Sequence, residues 1–364
     1  MAAWTGLHGM GARAADLTVL QVAPLTGVDG GLGYHLQVGA QVAFEEANAL
    51  APLPAGNLRL VTLDEQRGRV VAQVQDALLS VKPVALFGLV GRQALQSLSA
   101  GNWLARWQLP LVGLHSGSVE ALTPMPPGVF VMRGSFLDEV DSVFLHLATI
   151  ASRRVALVTT DDEDGREVAA LVRQKARESG VQLVSSHVHP HGSALTDEAV
   201  DAVLRQPHDA VILASNTAAV ANYARRYGQG GGKGQLIALS SAEATQLAAV
   251  VGPEVARGVL ISQLVPHPRD PKLPLMRQWL AAYRRHGPSD LAPTLAMTEA
   301  YISARVLIET LRRCGPQPTG TLLWKALAAQ TEPLVLAGLP VSLNRRGQPY
   351  RSLSMIGQAG GLVF

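Results

Sequence analysis

At roughly 150 residues per domain, the 364-residue chain is long enough for two domains, and 48% apolar residues can fill more than one core. Its 31 basic and 28 acidic residues leave a formal charge of +3, spread singly or in pairs such as Arg153-Arg154, which excludes the clustered Lys/Arg stripe of a nucleic-acid binder. The lone Cys314 excludes an intrachain disulfide and a cysteine-rich zinc site, and no stretch nears the ~20 apolar residues that span a bilayer.

Residues 1–15 read as a leader remnant. They lack the apolar run of an intact signal peptide, but Ala12-Arg13-Ala14 fits the small-x-small pattern ahead of a cleavage site. A floppy cytosolic N-terminus fits the same residues. From residue 17 the pattern alternates short apolar runs with longer amphipathic ones. Residues 17–23, 58–63, 84–88 and 111–114 read as strands, separated by helices over 33–49, 70–79 and 94–107. The continuous apolar run at 84–88 suits a strand covered on both faces. This β-α-β-α-β-α-β order predicts a parallel sheet with right-handed crossovers. The pattern then restarts, with strands at 154–159, 181–188, 210–213, 235–239 and 258–263 and helices over 165–179, 197–205, 218–227 and 242–250. After Pro266 come helices over 272–285, 294–313 and 321–330, the middle one stopped by Gly315-Pro316. Short strands return in the tail.

The fold class expected is α/β, two lobes that are each a parallel sheet flanked by helices, with the helices after Pro266 back on lobe one and the last strands on lobe two. Ligands of open parallel sheets bind beyond the carboxyl ends of the strands, at helix N-termini. Those ends carry Leu25 and Thr26, then Leu89, Val90, Gly91 and Arg92, then His115 and Ser116 in the first unit. In the second they carry Asp161 to Asp164, Ser215 and Asn216, and Ser240, Ser241 and Glu243. Ser, Thr, Asp and Asn at such places also cap helices, so capping accounts for any one of them equally well.

Several ordered segments resemble the type I periplasmic binding proteins, most closely the branched-chain amino acid receptors of ABC transporters. They are Ala23-Pro24-Leu25-Thr26-Gly27; the run from Gly39 to Ala49; Leu60 to Glu65; Pro110-Leu111-Val112-Gly113; Val129 to Arg133 followed by Asp138-Glu139; Arg154 to Val158 followed by Asp161-Asp162 and Gly165; and Glu299-Ala300-Tyr301. The resemblance implies two Rossmann-like lobes, lobe 1 from residues 16–133 plus 266–339 and lobe 2 from 134–265 plus 340–364, joined by three hinge crossings near 132–135, 262–267 and 338–342, with a ligand held in the cleft between closing lobes. It implies a periplasmic location, a membrane permease as partner and no cofactor.

The amino acid receptors take the ligand carboxylate with a hydroxyl residue and backbone N–H groups after the third strand, and a second hydroxyl residue after the fourth. Here the third-strand loop has no hydroxyl before Ser97, while the fourth keeps Ser116 and Ser118. Arg92 is either a substitute anion partner, since guanidinium suits a carboxylate, or a solvent-facing side chain. The aromatic residues that cover the ligand in those receptors are replaced by Leu32, Asp164 and Asn216. Glu243 stands near the place of the acidic partner of the ligand ammonium, or only complements a helix start. Two ligand classes follow: a carboxylate if Arg92 and Ser116 face the cleft, or a mostly apolar aromatic, lipid-like or sterol-like molecule if they do not.

His187, His189 and His191 share one face of a strand end, which suits a transition metal or is only a frayed end beside Pro190 and Gly192; Asp161 to Asp164 suit a hard cation or only a helix start and lack EF-hand spacing; no metal is expected. His115 beside Ser116 makes no catalytic dyad, because neighbouring side chains diverge on an extended chain. There is no G-x-S-x-G elbow. The chain is therefore expected to be a monomeric solute-binding protein rather than an enzyme, with a ligand-sensing regulatory domain of the same fold as the alternative.

Overall fold

The computed structural model describes residues 16–66, 68–193, 197–344, 348–358 and 362–363. The leader residues 1–15 lie outside the described residues. The first sheet is built from β1 (Leu17–Ala23), β2 (Leu58–Asp64), β3 (Ala85–Phe87), β4 (Leu111–Val112) and β5 (Val129–Phe130), all parallel, in the order β2-β1-β3-β4-β5. Its crossovers are α1 (Gly30–Leu50), α2 (Val70–Ser80), α3 (Gly91–Ala100) and α4 (Trp103–Trp107). The chain then enters the second lobe through α5 (Phe136–Thr149). There β6 (Arg154–Thr160), α6 (Glu163–Ser179), β7 (Gln182–His189), α7 (Asp197–Leu204), β8 (Ala210–Ala214), α8 (Thr217–Gln229), β9 (Gln235–Ala238), α9 (Ala244–Val251), α10 (Pro253–Ala256) and β10 (Leu260–Gln263) follow. It returns to the first lobe with α11 (Pro274–His286), α12 (Leu295–Arg313), α13 (Gly320–Ala328) and the hairpin β11 (Leu334–Leu336) and β12 (Leu339–Val341). The last strands, β13 (Ser352–Ile356) and β14 (Leu362–Val363), add antiparallel to the second sheet, whose order is β14-β13-β10-β9-β8-β6-β7.

Each sheet is covered on both faces, which is why β3 and β8 are apolar along their whole length. In the first lobe α1, α11 and α12 cover one face, and α2, α3 and α4 the other. In the second, α5 and α6 cover one face and α7 to α10 the other. α12 is buried over most of its surface because it is wrapped by α1, α11 and the sheet, and its buried polar residues include Thr298, Glu299 and Ser303.

The helix expected over 94–107 is two helices. Gly101 and Asn102 break it, with Asn102 in the left-handed region at φ 51°. Three elements have no counterpart in the sequence reading, the short α10 among them. β5 is only two residues long, and α5 opens on a capping box in which Ser135 and Asp138 each bond the other's backbone N–H.

Two glycines set how closely α1 lies to its neighbours. A Cβ on Gly33 would sit 1.7 Å from the Pro24 carbonyl oxygen, and one on Gly39 would sit 2.1 Å from that of Met297. Gly39→Ala must therefore push α1 and α12 apart. It is expected to lower the unfolding free energy by at least ~1–3 kcal/mol, the usual cost of overpacking, read from urea titration. An unchanged midpoint would contradict this packing.

Candidate functional site

The strand tips of the two lobes face one another, and polar contacts cross between them at three levels. The tips of β3 and β4 are tied together first. Val90 and His115 form an isolated parallel bridge, and the Gly91 N–H donates to the His115 carbonyl at 2.9 Å. Gly91 has φ 75°, a conformation that only glycine adopts freely. This turn starts α3 and aims Arg92 across the cleft.

Arg92 does not point to solvent; its side chain is 8% exposed. Its Nη2 donates to Ser118 Oγ at 2.6 Å and contacts Glu167 of α6 in the opposite lobe. Glu120 lies 3.3 Å away, Asp164 3.3 Å and Glu163 3.6 Å. Four carboxylates, three of them from the second lobe, thus surround one guanidinium. Burial lowers the Arg92 pKa, but Glu167, then Asp164, Glu120 and Glu163, raise it further than burial lowers it. Asp164 shows the surplus of negative charge: burial, opposed by Arg92 and reinforced by Asp162, Glu167 and Glu163, pushes its carboxyl up to about 6. The Glu167 carboxylate is 3% exposed and also accepts from Ser118 Oγ at 2.6 Å, Val119 N at 2.6 Å and Glu120 N at 3.2 Å.

The cleft floor is a second buried network. His115 Nδ1 lies 3.0 Å from one Glu299 oxygen, and Arg133 Nη1 donates to the other at 2.5 Å. Arg133 Nη2 then donates to Ser240 Oγ at 2.7 Å, and the Ser240 N–H and hydroxyl donate to Glu139 at 2.7 and 2.9 Å. The chain of bonds runs from α12 in one lobe to α5 in the other. Burial alone would raise the Glu299 carboxyl, but Arg133 and then His115 outweigh it and hold the group at about 2. Beside this floor the three crossings between lobes meet around a cavity of about 30 Å³, lined by Met132, Arg133, Val265, Pro266, Leu339 and Val341.

At the rim, His191 stands between Asp162, 2.7 Å from Nδ1, and Asp29 of the other lobe, 3.6 Å from Nε2. Glu243 caps α9 through the Gln246 N–H and also accepts from Leu295 N, at the start of α12, at 3.3 Å. Burial pushes its carboxyl up, against the N–H groups of Gln246, Leu295 and Thr245.

The other expected site residues are placed as follows. The Leu25 N–H and the Thr26 hydroxyl both bond Asp64, which fixes the β1 tip. Leu32 and Val90 are half-buried against the first lobe's core, while Leu89 is fully part of it. Ser116 is buried and accepts from Ser118 N at 3.3 Å. Asn216 caps α8 through Ala219 N, and Ser241 donates to the Ser215 carbonyl at 2.8 Å. The structure therefore brings Arg92 together with Asp164, and Val90 together with His115, but leaves Asn216 and Ser241 in local capping and loop contacts. Of the histidines weighed for metal, His189 bonds Ser215 and His191 bonds Asp162, and among the described residues no group of three or more ligating side chains is arranged to hold an ion.

Glu167, Glu120 and Arg133 take part in the interlobe bonds, and Glu299 anchors Arg133 within its own lobe; none of the four was among the expected site residues. Arg133, Glu139 and Glu299 stand in segments that carry the family resemblance, so the sequence marked their positions without a role. Glu167 gives no such signal. It sits on the buried face of α6 with Val168 and Val172, where a carboxylate needs a partner that only the other lobe supplies.

The sequence profile of the family described as periplasmic binding protein matches residues 17–356. Among solved structures, a substrate-binding periplasmic protein from Ralstonia solanacearum is 28% identical with a TM-score of 0.87, over 96% of this chain and 99% of that one. An extracellular ligand-binding receptor from Verminephrobacter eiseniae is 22% identical with a TM-score of 0.84, over 96% and 100%. A branched-chain amino acid ABC transporter protein from Thermus thermophilus, solved with bound valine, is 18% identical with a TM-score of 0.85, over 97% and 96%. No curated protein sequence matches the chain. Among the described residues no helix is long and apolar enough to cross a membrane.

Glu299→Gln strips the counterion from buried Arg133 and is expected to cost roughly 3–5 kcal/mol at neutral pH. Because the folded pKa of Glu299 lies below its ordinary 4.5, the wild-type advantage is complete above about pH 4.5 and fades as the pH falls toward 2. Urea titrations of both proteins at several pH values check this. A difference that persists unchanged into strong acid would contradict it.

Proposed function

The chain belongs to the periplasmic binding protein family, and from that premise we propose that it captures a small organic solute between its two lobes in the periplasm and hands it, as a monomer, to the permease of an ABC transporter. The observation that carries this reading is the meeting of both sets of strand tips across one cleft, with Arg92 bonded to α6 of the other lobe. Closure is proposed to bend the chain at the crossings near 132–135, 262–267 and 338–342, a hinge mechanism in which solute and lobe contacts form together. An enzymatic reading finds no support at His115 and Ser116, since the first is bonded to Glu299 and the second to the Ser118 N–H.

Of the two solute classes, the mostly apolar one is favoured. Arg92 and Ser118, which would take a ligand carboxylate, are engaged by carboxylates of the protein. Leu25, Leu32 and Val90 remain half-buried at the tips and offer apolar surface.

A thermal-shift screen over aromatic acids, amides, amines, lipids and amino acids identifies the solute, because a tight ligand raises the melting temperature by mass action. A saturating solute from that screen is expected to shrink the radius of gyration in small-angle scattering. Scattering curves that superimpose with and without it would refute closure.

A further inference from the structure

Arg92, weighed in the sequence as an anion partner, and Ser118, a hydroxyl of the fourth-strand loop, do hold a carboxylate, but it belongs to the protein. Arg92 Nη2 and the Ser118 hydroxyl meet one oxygen of Glu167, and the N–H groups of Val119 and Glu120 meet the other. A carboxylate has about four acceptor sites, and here four donors fill them. The side chain reaches this place from α6, in the opposite lobe, and is almost wholly buried. We propose that Glu167 is a specificity-determining residue, an internal carboxylate that occupies the anion-binding position of the cleft, so that the natural solute carries no carboxylate of its own. This rests on the capture reading above and narrows its solute class.

The surrounding charge acts in the same direction. A second anion brought to Arg92 would meet Glu120, Glu163 and Asp164 as well as Glu167, all within 3.6 Å of the guanidinium. That arrangement repels an acid and attracts an amine. Burial raises the Asp164 carboxyl first, and Asp162, Glu167 and Glu163 add to it against Arg92. Neutral or cationic solutes with an apolar body therefore suit the cleft, and zwitterionic amino acids do not.

The test uses the full chain, its Glu167→Ala variant and three probes: acetate, 4-methylpentanoate and leucine. In Glu167→Ala the Arg92, Ser118, Val119 and Glu120 donors are freed together. Acetate and 4-methylpentanoate are expected to bind this variant at least about tenfold more tightly than the wild type by calorimetry, and to raise its melting temperature. None of the three probes is expected to shift the wild type. A Glu167→Ala variant indifferent to acetate would overturn the proposal. So would wild-type protein stabilised by leucine or 4-methylpentanoate, a result that needs no variant to fold. Failure of the capture reading looks different: no solute then compacts the wild-type particle, whatever the acetate response of the variant.

Discussion

One buried guanidinium, ringed by carboxylates from both lobes, sets the distance between the two halves of this molecule. A cation taken out of water needs counterions and hydrogen bonds close at hand, and Arg92 finds most of them on α6, across the cleft. Opening the cleft would return Arg92, Asp164 and Glu167 to water and break the bonds from Ser118 and the two N–H groups that hold Glu167. The position of the lobes is thus written into one ionic cluster at the mouth and a second, centred on Arg133 and Glu299, at the floor.

The two clusters differ in what they can do. At the floor each charged group has a close partner: Arg133 faces Glu299, and Glu139 is satisfied by the Ser240 N–H and hydroxyl. That network lies beside the crossings between the lobes and ties α12 to α5 through Arg133 and Ser240. At the mouth, negative charge exceeds positive, and the surplus is partly relieved by the tendency of Asp164 to stay protonated to higher pH. The floor cluster ties the lobes where the chain crosses between them, and the mouth cluster gives the cleft an acidic character.

Much of the architecture was legible in the sequence because burial on both faces leaves long apolar signatures. β3 and β8 are continuous apolar runs, and α12 is buried on most of its surface. Shorter or locally encoded features were harder to see. β5 spans two residues, and the break at Gly101-Asn102 depends on one left-handed residue inside an otherwise helical pattern. The site was read less completely, for a physical reason. Strand-tip loops are predictable from strand order, so Arg92 and Asp164 were both named. Their pairing is a tertiary fact. Glu163 suits the acidic start of a helix, and Glu167 one turn later reads as an ordinary helical glutamate, so nothing local marks it as a buried partner. Only the opposing α3 turn makes Glu167 a buried partner and leaves Glu163 nearer the rim.

The most direct measurement of the ionic cluster's role is a spin-label distance between Gln96 on α3 and Arg173 on α6, both exposed, with Cys314 replaced by serine. Double electron–electron resonance on the labelled protein is expected to give one narrow, short distance. Adding Arg92→Ala should lengthen and broaden it, because the lobes lose the cation that their carboxylates share. Superimposable distance distributions for the two proteins would show that the lobes are held by something else.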